Sequence, residues 1–242
     1  APEPYTEWVR GLPATPRLAR RDLYAHEPRA LTATERAYID ANYDGQLRAA
    51  DAAFGALIDD LKRRGRYDDA LIIMTSDHGT LLGEHGHLGH VGRMLYEPLL
   101  NIPLIVKFPG PTHLRGRVDT PVQNLDIFPT ALAAAGVPVP AKTQGELLPT
   151  VRHPTLAEDD VNAFLVWRYG TIYDRALRVL VDPPYKLIAT SRGERLLFDL
   201  VADPGERDNL VERDPTRVEA MTRRLSGVLP FGSAATATGD GP

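Results

Sequence analysis

Four of the seven histidines, His78, His85, His87 and His90, fall within thirteen residues of one another. The cluster opens with Ser76-Asp77-His78-Gly79, directly after the apolar run Ala70 to Thr75. Asp77 and His78 are adjacent, and both side chains can ligate a divalent cation. In open α/β sheets the loops that follow the C-terminal ends of strands form the binding crevice. A carboxylate oxygen beside an imidazole nitrogen suits a cation of hard to borderline character: Ca²⁺, Mg²⁺, Mn²⁺ or Zn²⁺. Two ligands do not close a coordination sphere, so further ligands come from elsewhere or the site is incomplete within this chain. The plainer reading makes Asp77 a turn former or helix cap and His78 a hydrogen-bonded core histidine. The following stretch, Leu81 to Gly92, alternates glycine with histidine and glutamate. Such a stretch is expected neither to pack a core nor to hold a helix, and to serve as a site or a mobile lid. His85 and His87 stay open between supporting the site and lying on the surface. A zinc module built from His78, His85, His87 and His90 is a further reading, but the spacing matches no closed zinc pattern.

The elements that must position this loop are legible from periodicity. Thr32 with Glu35 forms a capping box. Leu47, Ala50, Phe54, Leu57, Ile58 and Leu61 then repeat at three- and four-residue steps, predicting a long helix with one apolar face. Lys62, Arg63 and Arg64 suit its C-terminal dipole and Gly65 its C′ position, while Gly45 and Gly55 weaken it locally. Ala70 to Thr75 predicts a strand covered on both faces, as in a parallel sheet. A second strand is expected over Ile102 to Phe108, closed by Pro109-Gly110-Pro111. A helix from Asp126 to Ala135 follows, with Asp126 as N-cap, Pro129 in the first turn and Gly136 at the end. Val137 to Pro149 reads as a proline-rich connection. Beyond about residue 155 the pattern shifts to short strands at Ala163 to Trp167, Arg178 to Val181, Tyr185 to Ala189 and Glu194 to Asp199. The last two are joined as a hairpin through Ser191-Arg192-Gly193. A final helix starts at Asp214-Pro215 and places Val218, Met221 and Leu225 on one face. The expected organisation is an irregular proline-rich segment (1–31), part of an α/β core (32–155), a small α+β subdomain (156–230) and a disordered tail (231–242).

Composition narrows the function classes. The 242 residues carry 28 Lys and Arg against 32 Asp and Glu, a formal charge of −4. No basic excess exists to track a phosphate backbone, so nucleic acid is not the expected partner. No apolar run is long enough to predict a membrane-spanning helix. Cysteine is absent, which removes disulfides, thiolate metal sites and a cysteine nucleophile. The chain opens Ala-Pro-Glu-Pro, without Met or a charged-then-apolar leader, and reads as a processed start or the edge of a fragment. The compartment stays open.

Several motifs together carry a resemblance. Ile72 to Gly86 (IIMTSDHGTLLGEHG) is followed by Met94-Leu95-Tyr96-Glu97-Pro98 and Asn101-Ile102-Pro103-Leu104-Ile105. Tyr43-Asp44 leads through Asp51 to Leu57 and Leu61 along the long helix. Asn124-Leu125-Asp126-Ile127-Phe128-Pro129-Thr130, Gln144-Gly145 with Leu147-Leu148-Pro149, and Leu197-Phe198-Asp199-Leu200 with Asp203-Pro204-Gly205-Glu206 and Asn209-Leu210 complete the set. Over roughly residues 32–228 the chain resembles the C-terminal half of a sulfatase. These belong to the alkaline-phosphatase-like superfamily of metal-dependent sulfate and phosphate ester hydrolases, and the form here is similar to the choline-sulfatase and phosphonate-monoesterase subtype. The resemblance implies an α/β fold: part of a sandwich with a mixed, mostly parallel sheet and flanking helices, plus a C-terminal subdomain with an antiparallel sheet. It implies that Asp77 and His78 are metal ligands, with Ca²⁺ first among the candidates and Mn²⁺, Mg²⁺ or Zn²⁺ as alternatives. His90 falls where relatives carry an ester-binding lysine, and His87 joins it as a candidate substrate contact. An ordinary histidine is charged only below about pH 6.5, unlike lysine. The family nucleophile, a formylglycine made in a Cys/Ser-x-Pro-x-Arg motif, is not found here; Thr15-Pro16-Arg17 has the wrong spacing. The expected activity is therefore sulfate ester hydrolysis by a parent enzyme, with phosphate or phosphonate esters or a non-catalytic fragment as alternatives. The chain alone is expected to be inactive, with the rest of the core as its partner.

Overall fold

The structure is a computed structural model that describes residues 30–90, 95–111 and 115–231. Most of the proline-rich 1–31 segment and nearly all of the 231–242 tail lie outside the described residues. The chain divides into two compact units, one formed by Ala1–Val91 with Pro98–Arg152 and the other by Gly92–Glu97 with His153–Pro242.

The first unit opens with helix α1, Ala33–Arg63. Its capping box is formed: Thr32 Oγ1 accepts the Glu35 N–H at 3.2 Å and Glu35 Oε2 accepts the Thr32 N–H at 2.9 Å. Gly65 ends the helix at φ 63°, the left-handed conformation that a Cβ disfavours. The turn after it is fastened from below. Lys107 Nζ donates to the carbonyls of Tyr67, Asp68 and Ala70 at 2.5, 2.6 and 3.0 Å, and it lies 4.8 Å over the Tyr67 ring.

Strand β1 is Ile72–Thr75, β2 Leu81–Leu82 and β3 Leu88–Gly89, followed by the short helix α2, Glu97–Leu100, and strand β4, Leu104–Lys107. β1 pairs antiparallel with β4, Ile72 opposite Lys107 and Thr75 opposite Leu104. The α/β class holds, but the parallel neighbour expected for β1 is not among the described residues, and its four residues are half-buried rather than covered on both faces. A short apolar run encodes burial better than partner direction.

The Asn124–Asp126 turn leads into helix α3, Ile127–Ala134. Asp126 does not cap this helix with its side chain. Its fully buried carboxylate instead accepts the N–H groups of Gln123 and Glu146, each at 2.8 Å. Thr130 Oγ1 donates to the Asp126 carbonyl at 2.6 Å and accepts the Leu148 N–H at 3.0 Å. A Cβ on Gly145 would stand 2.1 Å from the Leu125 carbonyl oxygen. The two motifs, residues 124–130 and 144–149, are thus one hydrogen-bonded knot.

The second unit is an antiparallel meander: β5 (Thr155–Asp159), β6 (Leu177–Asp182), β7 (Tyr185–Thr190) and β8 (Arg195–Asp199), in that order. The run expected as a strand at Ala163 to Trp167 is instead helix α4, Ala163–Tyr169. Its aromatic and β-branched residues favour a strand. The local cap prevails: Asn162 Oδ1 accepts the N–H groups of Phe164 and Leu165 at 3.1 and 3.2 Å, while Gly170 at φ 97° ends the helix. β5 lies at the expected domain boundary, where no strand was expected. The final helix α5, Pro215–Val228, begins as expected, with Asp214 Oδ1 accepting the Arg217 N–H at 3.0 Å. Its Met221 and Leu225 join Leu180, Leu187, Ala189 and Leu197 in one buried cluster.

The opposite face of this sheet holds a charge. Lys186, fully buried on β7, places Nζ 2.8 Å from Glu97 Oε1 and 2.8 Å from Glu206 Oε1. Glu206 Oε2 also accepts the Glu97 N–H at 2.6 Å. Glu206 stands at φ 51° in the turn Asp203 to Glu206. The rest of that motif pairs the edge of the sheet: Asn209 Oδ1 accepts the Leu197 N–H at 3.0 Å, and Leu210 N–H donates to the Leu197 carbonyl at 2.8 Å. The hydrogen-bonding side chains of the C-terminal motif therefore build the fold of this unit.

Candidate metal centre and ester site

Asp77 and His78 follow β1 immediately. Gly79 comes next because its backbone runs against α2: its N–H donates to the Leu99 carbonyl at 2.9 Å, and a Cβ there would lie 2.0 Å from the Pro98 carbonyl oxygen. No side chain fits at that position. The chain therefore turns sharply at Gly79 and leaves Asp77 and His78 facing outward. The Asp77 side chain is 85% exposed and that of His78 47%, which rules out the core-histidine reading of His78.

Local hydrogen bonds orient both groups. Asp77 Oδ1 accepts the His78 N–H at 2.9 Å. This bond, and after it the His78 imidazole, hold the Asp77 carboxyl below its ordinary value. It is an anion at neutral pH. His78 Nδ1 lies 2.8 Å from the Gly79 carbonyl oxygen and donates to it, which leaves Nε2 as the ring nitrogen turned toward Asp77. Nε2 is 3.6 Å from Asp77 Oδ2. A carboxylate oxygen and an imidazole nitrogen 3.6 Å apart are atom types that suit a divalent cation. Among the described residues no third His, Asp or Glu joins them closely enough to complete a metal site. By the same observation the four histidines do not form a zinc cage.

His90 is brought to this pair by a hairpin that the glycine content conceals. β2 and β3 pair antiparallel, Leu81 opposite Gly89 and Leu82 opposite Leu88, with Leu81 and Leu88 buried. That register carries residue 90 back toward residue 80. The rings of His78 and His90 lie 4.4 Å apart between centroids, tilted by 33°. The expectation that this stretch packs no core is thus corrected. Two leucines, seven residues apart, are the signal that could have shown it. α1 secures the hairpin, because Arg36 Nη1 donates to the Leu82 carbonyl at 2.5 Å, and Gly83, at φ 119°, fits against Leu31. His87 closes the turn between the strands, its N–H donating to the Glu84 carbonyl at 3.0 Å. Asp77, His78 and His90 are thereby brought together, while His87 is placed by the hairpin turn.

One neighbour was not singled out from sequence. Asn124 Nδ2 donates to the Ser76 carbonyl at 3.1 Å, tying the residue before Asp77 to the turn that precedes α3. Its signal was its place at the head of the motif 124–130.

Comparison with known proteins places the chain in a family. The sulfatase family model matches residues 14–137, and the model described as N-sulphoglucosamine sulphohydrolase, C-terminal, matches residues 83–229. The chain is similar to arylsulfatase K of Xenopus laevis, 28% identical over 211 residues, covering 80% of this chain and 37% of that protein. It is also similar to the multifunctional alkaline phosphatase superfamily protein PehA of Trinickia caryophylli, 32% identical over 189 residues, covering 70% of this chain and 36% of that protein. In fold it matches the phosphonate monoester hydrolase SpPMH from Silicibacter pomeroyi with a TM-score of 0.72 and 24% identity, over 93% of this chain and 52% of that one. The chain thus spans little more than a third of the length of these curated relatives. With a family model matching half of its residues, the chain belongs to the sulfatase family.

Proposed function

We infer that the chain supplies one side of the active site of a metal-dependent sulfuric ester hydrolase. The observation that carries this reading is the exposed Asp77-His78 pair at the end of β1, with His90 stacked beside it. Asp77 Oδ2 and His78 Nε2 would hold one divalent cation, Ca²⁺ first among the candidates. Such a cation, when bound, polarises the ester and favours an anionic nucleophile. His90 would contact an ester oxygen or protonate the leaving group, and His87 stands as a further candidate contact. Gly79 and the β2–β3 hairpin hold these side chains in place before substrate arrives. The formylglycine nucleophile belongs to a segment other than the residues of this chain, which has no cysteine. A phosphate or phosphonate ester is the second reading, favoured only by the likeness to the phosphonate monoester hydrolase.

Calorimetric titration with Ca²⁺, Mn²⁺, Mg²⁺ and Zn²⁺ tests the cation site. One saturable event is expected, weakened about tenfold or more in Asp77→Ala; equal binding by the variant overturns the assignment. The 242-residue chain is expected to turn over neither an aryl sulfate nor an aryl phosphate. Metal-dependent turnover by this chain would place the nucleophile within it.

A further inference from the structure

The Ser76 carbonyl lies just past the end of the β1–β4 ladder, whose last pair is Thr75 opposite Leu104. Asn124 supplies a partner from far along the chain, its Nδ2 donating to that carbonyl at 3.1 Å. The other end of the same amide faces a hydroxyl, with Thr75 Oγ1 3.5 Å from Asn124 Oδ1. A carbonyl only accepts, so the amide turns its nitrogen to Ser76 and its oxygen to Thr75. Asn124 is itself firmly held. It opens the turn Asn124–Asp126. The fully buried Asp126 carboxylate at the end of that turn accepts the Gln123 and Glu146 N–H groups, each at 2.8 Å.

We propose that Asn124 is a positioning residue for the Asp77–His78 pair: it fixes the peptide joining Ser76 to Asp77 and so presets both side chains before a cation arrives. A peptide group is planar, so holding its oxygen also sets the direction in which the Asp77 Cα leaves it. From there the bonds run on along the loop. Ser76 Oγ donates to the His78 carbonyl at 2.6 Å, and Asp77 Oδ1 accepts the His78 N–H at 2.9 Å. The Gly79 N–H, bonded to the Leu99 carbonyl at 2.9 Å, fixes the far end. Asp77 and His78 thus stand between two anchors, and Asn124 is the one made by a side chain. A preset pair of ligands loses less freedom on binding than a mobile pair. Groups that orient metal ligands change affinity about 10–100-fold when removed. Aspartate in place of Asn124 would set oxygen against oxygen, and alanine would leave the carbonyl to water. The proposal rests on the cation reading of the pair and deepens it by naming what presets that pair.

The test compares wild type with Asn124→Leu, close in shape but without a donor, and with Asn124→Gln, which keeps the amide. Three-bond NMR couplings report the χ1 rotamers of Asp77 and His78 in the metal-free full chain. Titration with Mn²⁺, followed by electron paramagnetic resonance, reports affinity. Single rotamers are expected in wild type and averaged rotamers in Asn124→Leu. That variant should bind Mn²⁺ about tenfold more weakly, with its melting temperature close to that of wild type because the side chain is exposed. Asn124→Gln is expected to recover most of the loss. Unchanged couplings in Asn124→Leu overturn the proposal, as does undiminished Mn²⁺ affinity or a loss that glutamine does not relieve. So does a lowered melting temperature shared by both variants, the mark of a residue that only braces the fold. If wild type takes up no Mn²⁺, the cation reading fails by itself, and the couplings alone decide the role of Asn124.

Discussion

The two units bury their chain very differently. In the second, both faces of β6 and β7 are covered, and Leu177, Val179, Leu180 and Leu187 are inaccessible to solvent. In the first, the 31-residue helix α1 buries only Glu35 and Gly45, while Leu47 and Leu57 on its apolar ridge remain about half exposed at 51% and 52%. The firm parts of the first unit are polar: the Asp126 knot, the Lys107 clamp and the Gly79 contact. The second unit is stabilised by its own apolar core, whereas the first holds its loops by hydrogen bonds and leaves its helix face unsatisfied among the described residues. An amphipathic helix gains its stability from burying that face. Among the described residues, the unit that carries the candidate site is therefore the one with the less covered apolar face.

The largest effect should come from Lys186→Met. The variant removes the cation and leaves the buried Glu206 beside the half-buried Glu97 without a counter-charge, which should cost about 3–5 kcal/mol. Hydrogen exchange should show protection collapsing across β6 to β8. Retained protection would mean that the apolar cluster with α5 holds the second unit unaided.

A smaller effect is expected from pH. Burial pushes the Glu206 carboxyl up, opposed by Lys186. Its contribution is thus fully present below the ordinary carboxyl range and lost as pH rises through the raised value. Thermal melting followed against pH should fall in that window for the wild type and flatten in Glu206→Gln. Identical slopes would break the link between the triad and stability.

The smallest change should be Leu57→Ser on α1, within about 0.5 kcal/mol in urea denaturation because the side chain is already half exposed. A loss as large as that of a core leucine would show that this ridge is covered in solution and would erase the contrast between the units.

Much of this architecture is local and was readable as such. The Thr32–Glu35 box, the Asp214-Pro215 start and the 191–193 hairpin each involve residues a few positions apart, and each forms as expected. The α4 segment was misread because its residue types favour a strand, whereas Asn162 and Gly170 at its ends set a helix. Asp126 has the composition of a cap, yet its partner Glu146 is twenty residues away and diverts the carboxylate. The glycine-rich stretch 79–92 looked like a loop because two-residue strands carry almost no periodicity.

The sequence by itself determined the family, the α/β class, the adjacency of Asp77 and His78 and the ends of the long helices, since all of these reside in residue order and short-range hydrogen bonds. Only the tertiary structure decided that His90 returns to His78, because that depends on the register of β2 on β3. It also decided that Lys186 is a buried charge held by two glutamates, because residues 97, 186 and 206 meet only when the meander is folded. Local chemistry is written along the chain; the pairing of distant charges and rings is set by packing.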